Sequence, residues 1–394
     1  MEARITNFIK TRLAGDYQIW FIVFLLNIFG LLIQFSAKGK MFMGGPMVPI
    51  FNIAKSIFLL AGSFAIMSWI SRQNYLRVTK YSNIFLIFSW ILILVAFFFG
   101  ENKGGASRWI DLGFISFMPS DMAKLCLTMS LAKIFSTRQA DQSAYNFGVI
   151  LVILIQVGIT CFLVMLSNFS TAILIFLTSI VLMIFGRVPF KSIFLIVGIV
   201  GFIAGSVVTL GIGQRAATVK ARLATYAQRT LSSNKNGLKN LEDKDENYQL
   251  KRSWYAIATG ALIPKGPGNS QYRFILSQAE SDFVYAIILE EYGLIMGLAI
   301  PLLFLWFMWR GSSVIRYSGK PLGGLLSAGL TFSIVIQAFI NMLVAVGAGP
   351  VTGQPMPMIS AGGTSLVFTA LSIGLILSIS RDKEMETKDL KSVI

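Results

Sequence analysis

Residues 84–99 read IFLIFSWILILVAFFF. The run carries no charge and no alternation of polar with apolar side chains. A strand of a membrane barrel alternates over about ten positions, so this run is not one. Extended to 81–100 it reaches the roughly 20 residues that an α-helix needs to cross hydrocarbon. Nine further runs of the same kind follow the apolar pattern, at 17–36, 49–70, 119–135, 147–166, 169–186, 190–211, 283–310, 322–346 and 364–380. The expected fold is an all-α polytopic membrane protein with about ten transmembrane helices. Composition agrees: 55% of the 394 residues are hydrophobic and 13% are charged, against about 25% charged in soluble domains. The mean hydropathy is +0.70. Only Leu166-Ser-Asn-Phe-Ser170 separates the fifth and sixth runs, which predicts a tight turn, one that dips into the membrane if the runs are short.

The net charge is +16. Lys and Arg distribute unevenly between alternate connections. With the N-terminus inside, seventeen fall on inner segments and only Lys38, Lys40, Lys103 and Arg108 on the short outer loops. The positive-inside rule then places both termini in the cytoplasm. The basic excess is accounted for in this way, and nucleic acid is not implied. The start, MEARITNFIKTRLAGD, leads into a full-length apolar run without a small-residue cleavage pattern, so the first helix is expected to stay in the protein.

There is no His, and the two Cys, Cys126 and Cys161, lie in apolar runs. This excludes a His-based triad, a His metal site and a Cys cluster, and predicts two inert buried thiols. Chemistry is left to carboxylates, Lys, Arg, hydroxyls and the backbone. No internal repeat is visible, which disfavours an inverted-repeat transporter.

Residues 212–281 form one long loop on the outer face, and loops of this length are usually functional or disordered. Its centre, SSNKNGLKNLEDKDENYQLKR (232–252), is polar and reads as flexible or partner-bound. The preceding flank TVKARLATYAQRT is basic with apolar spacing, as in a helix lying along a membrane. The following flank, RSWYAIATGALIPKGPGNSQYRFIL, mixes aromatics with Gly and Pro and reads as a packed cap.

Burying a charge in lipid is costly, so ionisable residues inside apolar runs mark structure or function. These are Lys55, Asp121, Lys124, Glu290 and Glu291. Asp121 and Lys124 stand three apart on one helix face and read as an ion pair. Glu290 and Glu291 read as packing partners for a cation, Lys55 or Lys124. Asp282 opens the eighth helix at the outer surface. Spacing alone leaves two readings for it: a helix cap or a general base on a hydroxyl. Two outer segments, 100–121 and 349–365, are rich in Gly or Pro. Irregular backbone at that depth is tolerated where it is buried in protein or lines a cavity, so each is either a pocket wall or a structural turn.

Three stretches, GASRWIDLGFISFMPSDMAKL (105–125), SDFVYAIILEEYG (281–293) and PVTGQPMPMISAGGTSL (350–366), resemble in order the signature segments of the SEDS glycosyltransferases, the FtsW/RodA family. The loop is similar too, with Arg222, Tyr248-Gln249, Gly260, Gly266, Gly268, Asn269 and Ser270 at its usual landmarks. The EEYG ending and the GNS segment are more like FtsW than RodA. This chain departs from the pattern at three places. Ser167-Asn-Phe-Ser-Thr171 stands where Pro-Asp-Leu-Gly-Thr is usual, Asp121 replaces a Glu, and GALIP (260–264) replaces Gly-Gly-Leu-Phe-Gly.

The resemblance implies a peptidoglycan glycosyltransferase of the bacterial cytoplasmic membrane. It would polymerise lipid II during cell division, with undecaprenyl pyrophosphate leaving. It implies Asp282 as general base. Arg222, Lys265, Arg273 and Lys124 become the cations for pyrophosphate, and Asn269, Ser270 and Ser360 further substrate contacts. A divalent metal, Mg or Mn, is compatible with such a leaving group, although no ligand cluster is visible. The implied partners are a class B penicillin-binding protein and other membrane proteins of the division complex. Small residues are expected to seat the partner's helix at lipid-facing positions: Gly297, Gly323, Gly324, Ser327, Ala328 and Gly329. The rival readings are a lipid II flippase or other transporter, an elongation polymerase of the RodA type, and a non-catalytic scaffold.

Overall fold

A computed structural model of the chain describes residues 14–37, 47–102, 107–111, 116–139, 145–214, 216–231, 245–260, 263–276, 281–360 and 363–393. Ten helices stand at the ten expected positions: α1 (Tyr17–Ala37), α2 (Met47–Arg72), α4 (Ser82–Phe99), α5 (Pro119–Ser136), α6 (Phe147–Ser167), α7 (Phe169–Phe185), α8 (Phe190–Leu210), α11 (Val284–Tyr317), α12 (Pro321–Ala345) and α13 (Gly363–Val393). Eight of them are long and apolar enough to cross a membrane. Of the other two, α7 is apolar but 17 residues long, and α5 carries Asp121, Lys124 and Lys133. Three shorter helices complete the described set: α3 (Tyr75–Lys80), α9 (Ala216–Leu231) and α10 (Asp245–Gly260).

The packing centre is α12, which touches α11, α5, α7 and α13. In α12 72% of the spanning window is buried, against 22% in α8. The most apolar helices are therefore the outer ones: Phe98 and Phe99 of α4 and Phe202 of α8 stand exposed, as lipid contact requires. The central helix instead buries Ser327, Thr331, Ser333, Gln337 and Asn341, and Ser333, Gln337 and Asn341 recur every four residues along one face.

This burial corrects the expectation that small residues on α11 and α12 face lipid. Gly323, Gly324, Ser327, Ala328 and Gly329 are all buried within the bundle. A Cβ at Gly329 would come within 2.8 Å of Thr128 Cγ2 and 2.9 Å of Leu182, and one at Gly297 within 2.1 Å of Leu289 Cδ2. Small side chains at these positions let segments of this chain approach each other, so they are not open to a partner.

The turn between α6 and α7 is a single residue. Asn168, buried, ends one helix and caps the next, its Oδ1 accepting from Thr171 N at 3.3 Å. Cys126 and Cys161 are free and buried. At the end away from the long loop, Arg310 Nε donates to Asp16 Oδ2 at 3.0 Å, a pair the sequence reading did not anticipate.

The outer segment after α4 forms a small antiparallel sheet, β1 (Glu101–Asn102), β2 (Ser107–Asp111) and β3 (Ser116–Phe117), with β2 in the middle. Its register pairs Ile110 with Phe117 and Asp111 with Ser116. Within the long loop, α9 is the expected basic amphipathic helix. The expected packed cap is α10 together with residues 263–276. α10 also takes in 245–252 from the polar centre, whose remainder, 232–244, lies outside the described residues. The loop's donors satisfy carbonyls at and just beyond the C-terminus of α12, where the helix supplies no partner. Ser253 Oγ reaches Ala345 O at 2.7 Å, Trp254 Nε1 reaches Val346 O at 3.1 Å, and Tyr226 OH reaches Ala348 O at 3.2 Å.

Candidate active site

Asp282 stands just before α11, on the same face as the loop, and its backbone is held on two sides. Asn341 of α12 donates through Nδ2 to Ser281 O and Asp282 O, each at 3.2 Å, and to Gln354 O at 2.7 Å. Ser360 donates to Ser281 O and accepts from Met356 N, both at 2.9 Å. One Asn and one Ser thus tie the start of α11 to the irregular segment 351–360. That segment approaches the carboxylate itself, since a Cβ at Gly353 would lie 3.5 Å from Asp282 Oδ2, and Gly353 has a left-handed φ of 68°. The Pro-rich segment is a wall beside the acid.

Arg108, on the central strand β2, is the cation of this region. Burial pushes its guanidinium below the usual arginine range. Among the nearby charges Asp282 opposes that shift, Arg222 adds to it and Asp121 opposes it. Arg108 thus lies in the field of two carboxylates, Asp282 and Asp121, and of a second guanidinium, Arg222. Several buried polar atoms on the surrounding elements make no hydrogen bond among the described residues: Arg108 Nε, Ser120 Oγ, Asp121 Oδ2, Asn341 Oδ1 and Thr352 Oγ1. Buried polar groups are normally satisfied, and five of the fifteen exceptions among the described residues lie on the elements that carry Asp282 and its neighbours, which suits this region to a polar ligand.

Lys124 lies behind this group. Its Nζ is 4.0 Å from Asp121 Oδ1 and donates to Gln337 Oε1 at 2.7 Å. Gln337 in turn donates to Pro355 O at 2.9 Å. The ion pair expected from the three-residue spacing is present, and it also braces the 351–360 wall.

The remaining sequence candidates assemble elsewhere. Lys265 Nζ donates to Glu290 Oε1 at 2.5 Å, and Ser270 Oγ donates to Glu290 Oε2. Ser270 N meets Glu291 Oε1 at 3.2 Å. Arg273 Nη1 donates to Ser36 O at 3.2 Å, and Asn269 Nδ2 to Lys265 O at 3.0 Å. The cation for Glu290 is therefore Lys265, in place of the expected Lys55 or Lys124. Ser360 is tied to the residue before Asp282, Arg222 acts on the same Arg108 as Asp282, Lys124 stands behind them on Asp121 and Gln337, and Lys265, Asn269, Ser270 and Arg273 form a second group around Glu290 and Glu291. Among the described residues no three His, Cys, Asp or Glu side chains come together to hold a metal ion.

A family model described as cell cycle protein, covering FtsW, RodA and SpoVE, matches residues 16–385. The chain belongs to the FtsW/RodA/SpoVE family. It is 29% identical over 371 residues to stage V sporulation protein E of Bacillus subtilis, covering 93% of this chain and 97% of that one. To the probable peptidoglycan glycosyltransferase FtsW of Coxiella burnetii it is 30% identical over 388 residues, covering 95% and 99%. Among solved structures, a chain of a peptidoglycan synthase complex superposes with TM-score 0.73 at 20% identity, covering 94% of this chain and 99% of that one. RodA of Thermus thermophilus superposes with TM-score 0.66 at 18% identity, covering 95% and 99%. The fold is thus that of the FtsW/RodA/SpoVE family over nearly its whole length.

Arg108 and Asn341 were absent from the sequence candidates. Arg108 lies inside the first signature segment, where its neighbours drew attention as a Gly-rich turn. Asn341 is one polar residue in an apolar helix. Its i, i+4 relation to Gln337 and Ser333 was the available signal.

Proposed function

We propose that this protein is a peptidoglycan glycosyltransferase that polymerises lipid II into glycan strands, acting in cell division. The observation that carries the reading is Asp282, fixed through its own backbone at the start of α11 and acting on the buried Arg108, which also feels Arg222. A relative named as a probable peptidoglycan glycosyltransferase aligns over 95% of the chain, which supports the same reaction here.

The chemistry follows from the groups present. Asp282 takes the proton of the acceptor sugar's hydroxyl as that oxygen attacks the anomeric carbon of the donor. The new glycosidic bond forms as the bond from that carbon to the pyrophosphate oxygen breaks, and undecaprenyl pyrophosphate departs with the electron pair. A positioned base contributes about 10²–10⁴-fold. Arg108 and Arg222 neutralise the charge growing on the pyrophosphate in a site partly shielded from water. Lys124 acts one layer back, through Gln337 and Pro355, on the wall beside the acid.

Seventeen cations on inner segments against four on the short outer loops support a cytoplasmic membrane location with both termini inside. The loop then faces the side on which the strand is made. A solved relative belongs to a complex that coordinates polymerization with crosslinking. This supports a class B penicillin-binding protein as partner, reaching the 212–281 loop.

The test is polymer formation from lipid II by purified protein in vesicles, with and without the co-purified transpeptidase, alongside lipid scrambling in the same vesicles. Polymer that disappears in Asp282→Asn supports the reading. Scrambling without polymer, unchanged in that variant, would replace it with a flippase.

A further inference from the structure

Gly293 divides α11. Its φ of 73° and ψ of −174° are not helical, and such a φ favours glycine. The break releases the carbonyls of Glu290 and Glu291 from the helix ladder, and the loop takes them up: Lys265 N donates to Glu290 O at 3.2 Å and Gly266 N to Glu291 O at 2.9 Å. The same two residues then bind the loop through their side chains. Glu290 is fully buried and accepts from Lys265 Nζ, Ser270 Oγ and Gln271 N. Glu291 accepts from Ser270 N and from Ser36 Oγ at the end of α1. Gly260 of α10 lies flush on this point, where a Cβ would come within 2.1 Å of Glu290 Cα. A carboxylate near a helix C-terminus opposes the macrodipole, so this pair needs the donors it has gathered.

The half-helix Val284–Tyr292 is thus a short rod. Its lower end is anchored by Glu290 and Glu291, and Asp282 stands at its upper end. Eight residues at 1.5 Å each separate Asp282 from Glu290, about 12 Å, too far for Glu290 to touch a proton that Asp282 takes. The latched loop also reaches the upper end directly, because Leu276 packs with Phe283 and Ile287 in one buried cluster.

We propose that Glu290, with Lys265 and Ser270, is a positioning residue for the reaction. The buried Glu290–Lys265 latch sets the height and tilt of the half-helix on the Gly293 hinge and so holds Asp282 against Arg108 and the 351–360 wall. This deepens the glycosyltransferase reading and rests on it. It gives Lys265 a role in orientation instead of in pyrophosphate binding.

The experiment compares Glu290→Gln, Lys265→Gln and the double variant by two readouts. In lipid II polymerisation each single variant is expected to lose about tenfold in kcat with KM within about threefold. The double, which leaves no unpaired charge, is expected to recover most of kcat. Hydrogen exchange, which needs no activity, is expected to show faster exchange at amides 281–287 in the singles and near wild-type protection in the double. Singles that keep both kcat and protection overturn the proposal, as do losses that simply add in the double. A rise in KM with kcat intact returns Lys265 to substrate binding and also overturns it. If the wild-type protein forms no polymer even with the co-purified transpeptidase, the glycosyltransferase reading falls. The exchange data then decide by themselves whether the latch holds the start of α11.

Discussion

The Asn341 side-chain nitrogen is shared among three carbonyls, those of Ser281, Asp282 and Gln354. One amide on the central helix therefore joins the start of α11 to the wall beside it. Asn341→Ala removes this donor from all three oxygens, leaving Ser281 O to Ser360, and each buried group left unsatisfied costs about 1–3 kcal/mol. The expected outcome is a lowered melting temperature together with at least a tenfold loss of polymerisation, measured on purified protein in detergent and in vesicles. Unaltered activity would show that Asp282 does not depend on this tie.

Asp282→Asn keeps size and hydrogen bonding but removes the base. Polymer formation should fall by about two orders of magnitude or more, with melting temperature near wild type. A variant that is folded and active would leave Asp282 only as a helix start.

Arg108→Lys tests the guanidinium apart from the charge. Lys is a compact point charge without the planar fork that binds phosphate oxygens bidentately, so turnover should drop about tenfold or more. Arg108→Gln should drop further. Equal activity in wild type and Arg108→Lys would reduce the residue to a long-range charge.

Asp121 and Lys124 share low exposure, 8% and 14% for their side chains. Removing one partner of a buried pair costs about 3–5 kcal/mol. Asp121→Asn combined with Lys124→Gln should therefore melt above at least one of the single variants. Strict additivity would mean that Gln337, and not Asp121, is the partner that matters to Lys124.

Gly329→Leu now carries a different expectation from that of a lipid-facing residue. The new side chain meets Thr128 and Leu182 inside the bundle, and overpacking costs about 1–3 kcal/mol. Thermal melting and yield should fall with or without the transpeptidase. A stable variant that loses only the partner would restore Gly329 to the interface.

The ten helices were legible because the bilayer imposes one length and one polarity on every crossing. Residues 84–99 carry that signal without help from any neighbour. The Asp121–Lys124 pair was equally local, set by three residues on one turn. Asp282 stood out because it follows the long loop and opens a helix. What the sequence left undecided was every relation between segments far apart in the chain. Arg108 joins Asp282 across more than 170 positions. Lys265 finds Glu290 because Gly293 breaks the helix beneath it, and Gly329 faces inward because α12 lies at the centre. Local pattern determines which residues form helices and which must avoid lipid. Which face of each helix turns inward, and which loop cation meets which carboxylate, is decided by packing ten helices together so that buried polar groups find partners.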